Sequence, residues 1–211
     1  MNGNTVSRVA SVFANLAAHP GYIPEYLKSG PLSKQKPLDV ELPWFSWAAI
    51  RFLDSHLNKS MHVFEYGSGG STIYFAKRVA SITSTEENPD WIAMVSERLK
   101  ANGLTNATIQ HRPYNFSDVQ LDEFKQSDYL HSIPDASLDV IVVDGTQWDV
   151  PVRPTCFAHA ETKIKPGGII IFDDSWWHPD LPARHNAKSH RIFRSVGPCR
   201  AGVTSTDIYF Y

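Results

Sequence analysis

Cysteine is scarce: only Cys156 and Cys199 occur in 211 residues. Two thiols without metal or redox spacing argue against a disulfide framework, and they suit a cytoplasmic protein. Long basic runs are missing and the formal net charge is −2, so neither nucleic acid nor an anionic membrane is an expected partner. No apolar stretch nears the roughly 20 residues that cross a bilayer. The opening "VSRVASVFANLAAHPG" lacks the basic-then-apolar order of a signal peptide. Internal repeats and low-complexity segments are also missing.

What is present suffices for one domain with a sizeable core. Val6, Val9, Phe13 and Leu16 share a helical face, which predicts an N-terminal helix ended by Pro20 and Gly21. Residues 20–43 hold five prolines without periodicity and read as loop. "PWFSWAAIRFLDSHL" then reads as a helix opened by Pro43. From residue 61 the rhythm changes. "HVFEYG", "SITSTE", "ATIQHR", "LDVIVVDG" and "GGIIIF" read as strands, separated by helical stretches, and "GVTSTDIYFY" as a last strand. Asn88, Pro89 and Gly103 punctuate one helix as cap, first residue and stop. The alternation predicts an α/β fold, a mostly parallel sheet with helices on both faces. The all-apolar runs Val140–Val143 and Ile169–Phe172 suit its central strands. The expected organisation is a helical and loop-rich segment, 1–60, packed on a domain of residues 61–211.

In such sheets ligands gather at the carboxyl ends of the strands. Glu86, Asp144 and Asp173 end three predicted strands, and Glu65 lies just inside the end of the first. "FEYGSGGST" follows that first strand and opens a helix, where Gly67 and Gly69 permit a tight turn and close approach to a ligand. Thr72 stands at the third position of G-x-G-x-x-G, so the dinucleotide fingerprint is incomplete, and no Lys-Ser/Thr pair makes a P-loop.

The remaining pattern, acid-x-Gly-x-Gly, resembles the first motif of class I S-adenosylmethionine-dependent methyltransferases. The resemblance implies a Rossmann-like fold and a cosubstrate held by Glu65, Gly67, Ser68, Gly69 and Asp144, with Glu65 toward the methionine ammonium. It also implies a second-strand acid that accepts both ribose hydroxyls, a task for which a carboxylate has two acceptor oxygens. Glu86 fills that place, or Glu87 if the strand runs one residue longer. "E-E-N-P-D" is similar to the "E-x-N-P-D" of catechol-type O-methyltransferases. A plainer reading makes Glu87 and Asp90 first-turn acids favoured by the helix dipole. "PWFSWAAIRFLD", "FEYGSG-x-ST" and "VDG" followed by Arg153 and Cys156 resemble a group of small bacterial methyltransferase-like proteins. The likeness covers about residues 43–175.

"FDDSWWH" adds Asp173, Asp174 and His178 at the end of the fifth strand. In metal-dependent O-methyltransferases a fourth-strand Asp joins such a pair. That resemblance implies Mg²⁺ or another divalent cation on Asp144, Asp173 and Asp174, a set of hard oxygen ligands. The metal would acidify and orient an acceptor hydroxyl. Asp174 or Ser175 could instead cap the following turn. Catechol-type enzymes place a Lys base three residues past the fourth-strand Asp, where this chain has Gln147. Macrolide-type sugar O-methyltransferases use a His, which points to His178 as base beside Asp144. Trp148, Trp176 and Trp177 would wall an acceptor pocket. The expected activity is methyl transfer to a hydroxyl of a small molecule, with homodimerisation left open. A cosubstrate-binding or interaction protein that keeps the fold without catalysis is the rival. A nicotinamide dehydrogenase is a third reading, weakened by Thr72.

Overall fold

The computed structural model describes residues 5–134, 137–146 and 151–211, with Thr5 and Val6 described by their backbone. Among these residues, seven strands form one sheet in the order β3-β2-β1-β4-β5-β7-β6. They are β1 His62–Tyr66, β2 Ser81–Glu86, β3 Ala107–His111, β4 Leu138–Val143, β5 Ile164–Asp173, β6 Ser189–Val196 and β7 Val203–Phe210. The first five run parallel, whereas β7 pairs antiparallel with both β5 and β6. Helices α1 Thr5–Ala18, α2 Ile23–Ser29, α3 Pro37–Val40 and α4 Trp47–His56 precede the sheet. Between its strands in chain order come α5 Gly70–Ala76, α6 Pro89–Ala101, α7 Leu121–Phe124 and α8 Val152–Ala160.

The period of two along each strand divides the core. Val140, Val142, Ile169 and Ile171 face one cluster, which also holds Phe45, Ile50 and Leu53 from the segment before β1. Ile141, Val143, Ile170 and Phe172 face the other, with Phe157 of α8. Both apolar runs are thus covered on both sides, as central parallel strands require.

Three local expectations change. Val9 and Phe13, placed on the buried face of α1, are 47% and 69% exposed; Val12 enters the core, and Leu16 of the expected face packs against it. Residues 20–40 are not loop but short helical turns, each begun with a proline at its first or second position. Helix α4 opens at Trp47 rather than Pro43. Its cap is Ser46, whose Oγ accepts from the Ala49 amide and donates to the Phe193 carbonyl of β6. Strand β6 itself was not foreseen. It is an edge strand whose exposed residues include Arg191, Ile192 and Arg194, so it carries no apolar run and no clean alternation.

Candidate functional site

A cavity of about 770 Å³ opens at the carboxyl ends of β1, β2 and β4. This lies within the roughly 300–1,000 Å³ usual for ligand pockets. Residues from β1, the following glycine loop, the end of β2 and the end of β4 line it, and the stretch Gln35–Trp44 adds a wall.

The loop takes its shape from its glycines. Gly67 has φ +89° and Gly69 φ +153°, both costly for a residue with a side chain. A Cβ at Gly67 would lie 2.9 Å from the Gly145 Cα, so the first glycine is needed for loop-on-loop packing as much as for any ligand. At Gly69 such an atom would meet the Trp91 ring at 3.6 Å, an ordinary contact, so it is the positive φ that demands glycine. Trp91 donates its indole N–H to the Ser68 carbonyl (2.9 Å) and pins the loop from α6.

Glu65 is buried beneath this loop. Its Oε2 accepts from the hydroxyls of Thr72 and Ser84, each at 2.8 Å, and Thr72 Oγ1 in turn accepts the Gly69 amide. Among the described residues, Oε1 is buried without a hydrogen-bond partner. Burial raises the carboxyl to about 7 against the opposing pull of the Ser71, Thr72 and Ser84 hydroxyls. Thr72, which spoils the dinucleotide pattern, is therefore the link between the acid and the loop. Strand β2 ends at Glu86. Its Oε2 accepts from Ser68 Oγ (2.8 Å) and its Oε1 from the Asn88 amide (3.2 Å). Burial, then the neighbouring Glu87 charge, raises Glu86 to about 7. Glu87 is half-buried and also borders the cavity.

The three aspartates converge, but arginines stand among them. Arg153 of α8 reaches Asp144 Oδ1 (2.9 Å), the Gly145 carbonyl (2.6 Å) and the Asp173 carbonyl (3.0 Å). Arg200, on the β6–β7 connection, donates to Asp174 Oδ1 (2.8 Å) and Oδ2 (3.1 Å) and to Asp173 Oδ2 (3.0 Å). Asp173 is fully buried, with Oδ1 on Thr206 Oγ1. Burial and the Asp174 charge push it up to about 8 against Arg200. Burial acts to raise Asp174 too, yet Arg200 and Arg153 outweigh it and hold that carboxyl below its usual range. Asp144 is raised by burial, with Arg153 opposing.

Two expectations are revised by this arrangement. Asp174 adopts a left-handed φ of +53° and its side chain does not cap the turn at Ser175–Trp177; it binds Arg200, Thr204 and the Trp176 indole N–H. The expected divalent cation on Asp144, Asp173 and Asp174 does not fit the donor set as built, because each carboxylate already holds a guanidinium. No group of three or more His, Cys, Asp or Glu among the described residues is disposed to hold a metal.

His178 lies outside the cavity lining, its ring edge-on to Phe172 at 5.4 Å. Trp176 and Trp177 are 41% and 55% exposed and lie against each other, also outside the lining. Gln147 and Trp148 fall outside the described residues.

A family model described as "Methyltransferase domain" matches residues 65–172, just over half of the chain. The chain belongs to this methyltransferase family. Structural similarity agrees on the fold. A Klebsiella pneumoniae protein assigned to the O-methyltransferases superposes with a TM-score of 0.62 at 15% identity, covering 97% of this chain and 98% of that one. The O-methyltransferase TomG of Streptomyces achromogenes, solved with S-adenosylmethionine, gives 0.58 at 17% identity, covering 83% and 89%. An rRNA methylase from Streptococcus thermophilus gives 0.55 at 10% identity, covering 77% and 93%. No curated protein matches the sequence significantly.

In this methyltransferase, sequence reasoning located the glycine loop and the acids but missed what surrounds them. Arg153 served only as a mark of resemblance. Arg200, in "PCRAG", carried no signal at all. Neither did the wall from Gln35 to Trp44, which reaches the cavity only because α3 packs on α5.

Proposed function

We propose that the cavity binds S-adenosylmethionine and that the protein methylates a hydroxyl of a small molecule. The observation that carries the cosubstrate reading is Glu86. It is a buried strand-end carboxylate on the cavity wall, where Ser68 Oγ donates to one oxygen and the Asn88 amide to the other; a carboxylate oxygen has two lone pairs, which leaves acceptor capacity for a ribose diol. Glu65 fits the same ligand, since its buried Oε1 has no partner among the described residues and an ammonium nearby would offset a burial that is otherwise costly. Gly67, Ser68 and Gly69 supply the cradle, with Glu87 beside it. When bound, S-adenosylmethionine supplies an electrophilic methyl group. The chain's own part is to hold the acceptor and take up its proton.

Asp144 suits that second task. It borders the cavity at the end of β4, Arg153 fixes its orientation through Oδ1, and burial shifts its pKa upward, the direction a base requires. In this reading it replaces His178. Support for an oxygen acceptor comes from the Klebsiella and Streptomyces similarities, which cover most of this chain.

Calorimetry with S-adenosylhomocysteine tests the cosubstrate, with micromolar binding by wild type and a clear loss in Glu86→Ala as the expected result. Methyl-labelled S-adenosylmethionine incubated with fractionated cell extract tests the acceptor. Label in an ether of a small molecule is expected; label confined to RNA or protein would overturn that class.

A further inference from the structure

We propose that Arg200 is a built-in cation, a positioning residue that stands where the carboxylate cluster would otherwise recruit a divalent ion and that holds the far wall of the pocket without metal. The inference rests on the same pocket as the cosubstrate reading but not on the identity of its ligand.

Three carboxylates brought together at the ends of β4 and β5 repel one another unless a cation intervenes. The chain supplies that cation from a distant position. Arg200 forks onto both oxygens of Asp174 and onto Oδ2 of Asp173, a geometry that a planar guanidinium matches and a lysine does not. Its Nε–H goes to the Trp44 carbonyl (2.8 Å), and its guanidinium lies 5.0 Å from the Trp44 ring centroid. The side chain is only 18% exposed, so these bonds are little screened by water.

Among the described residues, five of the six carboxylate oxygens hold a hydrogen bond or ion pair. Asp173 uses Oδ1 for Thr206 and Oδ2 for Arg200; Asp174 uses Oδ1 for Arg200, Thr204 and Trp176. Asp144 Oδ1 holds Arg153. A hard divalent ion needs about six oxygen ligands at close range, and here it would meet two guanidiniums among the carboxylates. Arg200 also joins three stretches distant in sequence: the β6–β7 connection, the end of β5 and the wall at Trp44. Asp174, Trp44 and Arg200 all border the cavity. Loss of Arg200 should therefore leave a carboxylate cluster that accepts a metal and a wall that loosens.

The test is thermal melting of the full chain in chelator and in millimolar Mg²⁺, Mn²⁺ or Ca²⁺, with S-adenosylhomocysteine calorimetry alongside. Wild type should melt at one temperature in all four conditions and bind equally with chelator present. Arg200→Ala should melt lower, and a divalent ion should restore part of the loss. A metal at tenfold its dissociation constant would raise the melting point by roughly 3–5 °C. Adding Asp174→Asn should abolish that response. Should Arg200→Ala fail to fold, the double variant, freed of one charge, and the wild-type melts still decide the matter. A wild-type melt raised by any of these ions and made indifferent by Asp174→Asn would overturn the proposal. So would an Arg200→Ala protein as stable as wild type and blind to metal. Absence of S-adenosylhomocysteine binding by wild type would instead count against the cosubstrate reading and leave the metal comparison intact.

Discussion

Glu65 and Glu86 are buried acids that an apo protein would do better without. Each is raised to about 7 from a usual value of 4.5. A group raised on folding contributes stability that is fully present below its unfolded pKa and is lost as pH rises through its folded one. The free protein should therefore lose stability between about pH 4.5 and 7, on the order of 3 kcal/mol from Glu65 at 1.36 kcal/mol per unit. Glu65→Gln should flatten that slope in melts across the pH range while it weakens S-adenosylhomocysteine binding. A ligand that needs both carboxylates charged must also expel protons just below pH 7. Calorimetry in two buffers of different ionisation enthalpy should show the release. For Glu86→Ala, the loss of hydrogen bonds to a charged acceptor predicts weaker binding by about 1.5–3 kcal/mol per bond, before water compensates.

Among the elements, α5 and the wall over it act as a pair. Gly70 begins α5, and a Cβ there would fall 2.3 Å from the Pro37 carbonyl oxygen and 2.4 Å from that of Leu42. These are backbone atoms, so α3 and the chain after it must retreat. Gly70→Ala should cost at least the roughly 1–3 kcal/mol of an overpacked core and weaken cosubstrate binding as well, because the same stretch borders the cavity. Melting and calorimetry on one preparation would show both effects. Ser46→Ala is a cleaner structural control. It removes the cap of α4 and the bond to the Phe193 carbonyl, with an expected loss of about 0.5–2 kcal/mol. The pocket residues remain in place, so S-adenosylhomocysteine affinity should hardly change.

For the whole molecule, the segment before β1 divides into an outer and an inner part. Helix α1 buries Val12 and ties the Asn15 side chain to the Val196 amide, but Val9 and Phe13 stay exposed. Phe45, Ala49, Ile50 and Leu53 are at most 1% exposed and belong to the same cluster as β1, β4 and β5. Removal of residues 1–18 should thus leave a folded, ligand-binding protein. Removal of residues 1–60 should give an insoluble one, since it strips a sheet face of its cover. Circular dichroism and solubility of the two truncations check this.

What the chain determines by itself follows from patterns that are local and periodic. The apolar runs of β4 and β5, the Asn88 cap, the glycine turn after β1 and the acids at three strand ends are each visible within a few residues, because pleat, helix capping and positive φ act at that range. The α/β class and the position of the pocket follow from their order. What only the tertiary structure decides is long-range. Arg200 and Asp174 are 26 positions apart, and no periodicity announces that a guanidinium will meet a carboxylate across a hairpin. Strand β6 lacks a pattern because, at the edge of the sheet, half of its side chains are exposed. The outward turn of Phe13 depends on which face of α1 finds a partner. Three aspartates in sequence therefore read as a metal site; in three dimensions the charge that balances them arrives from elsewhere in the chain.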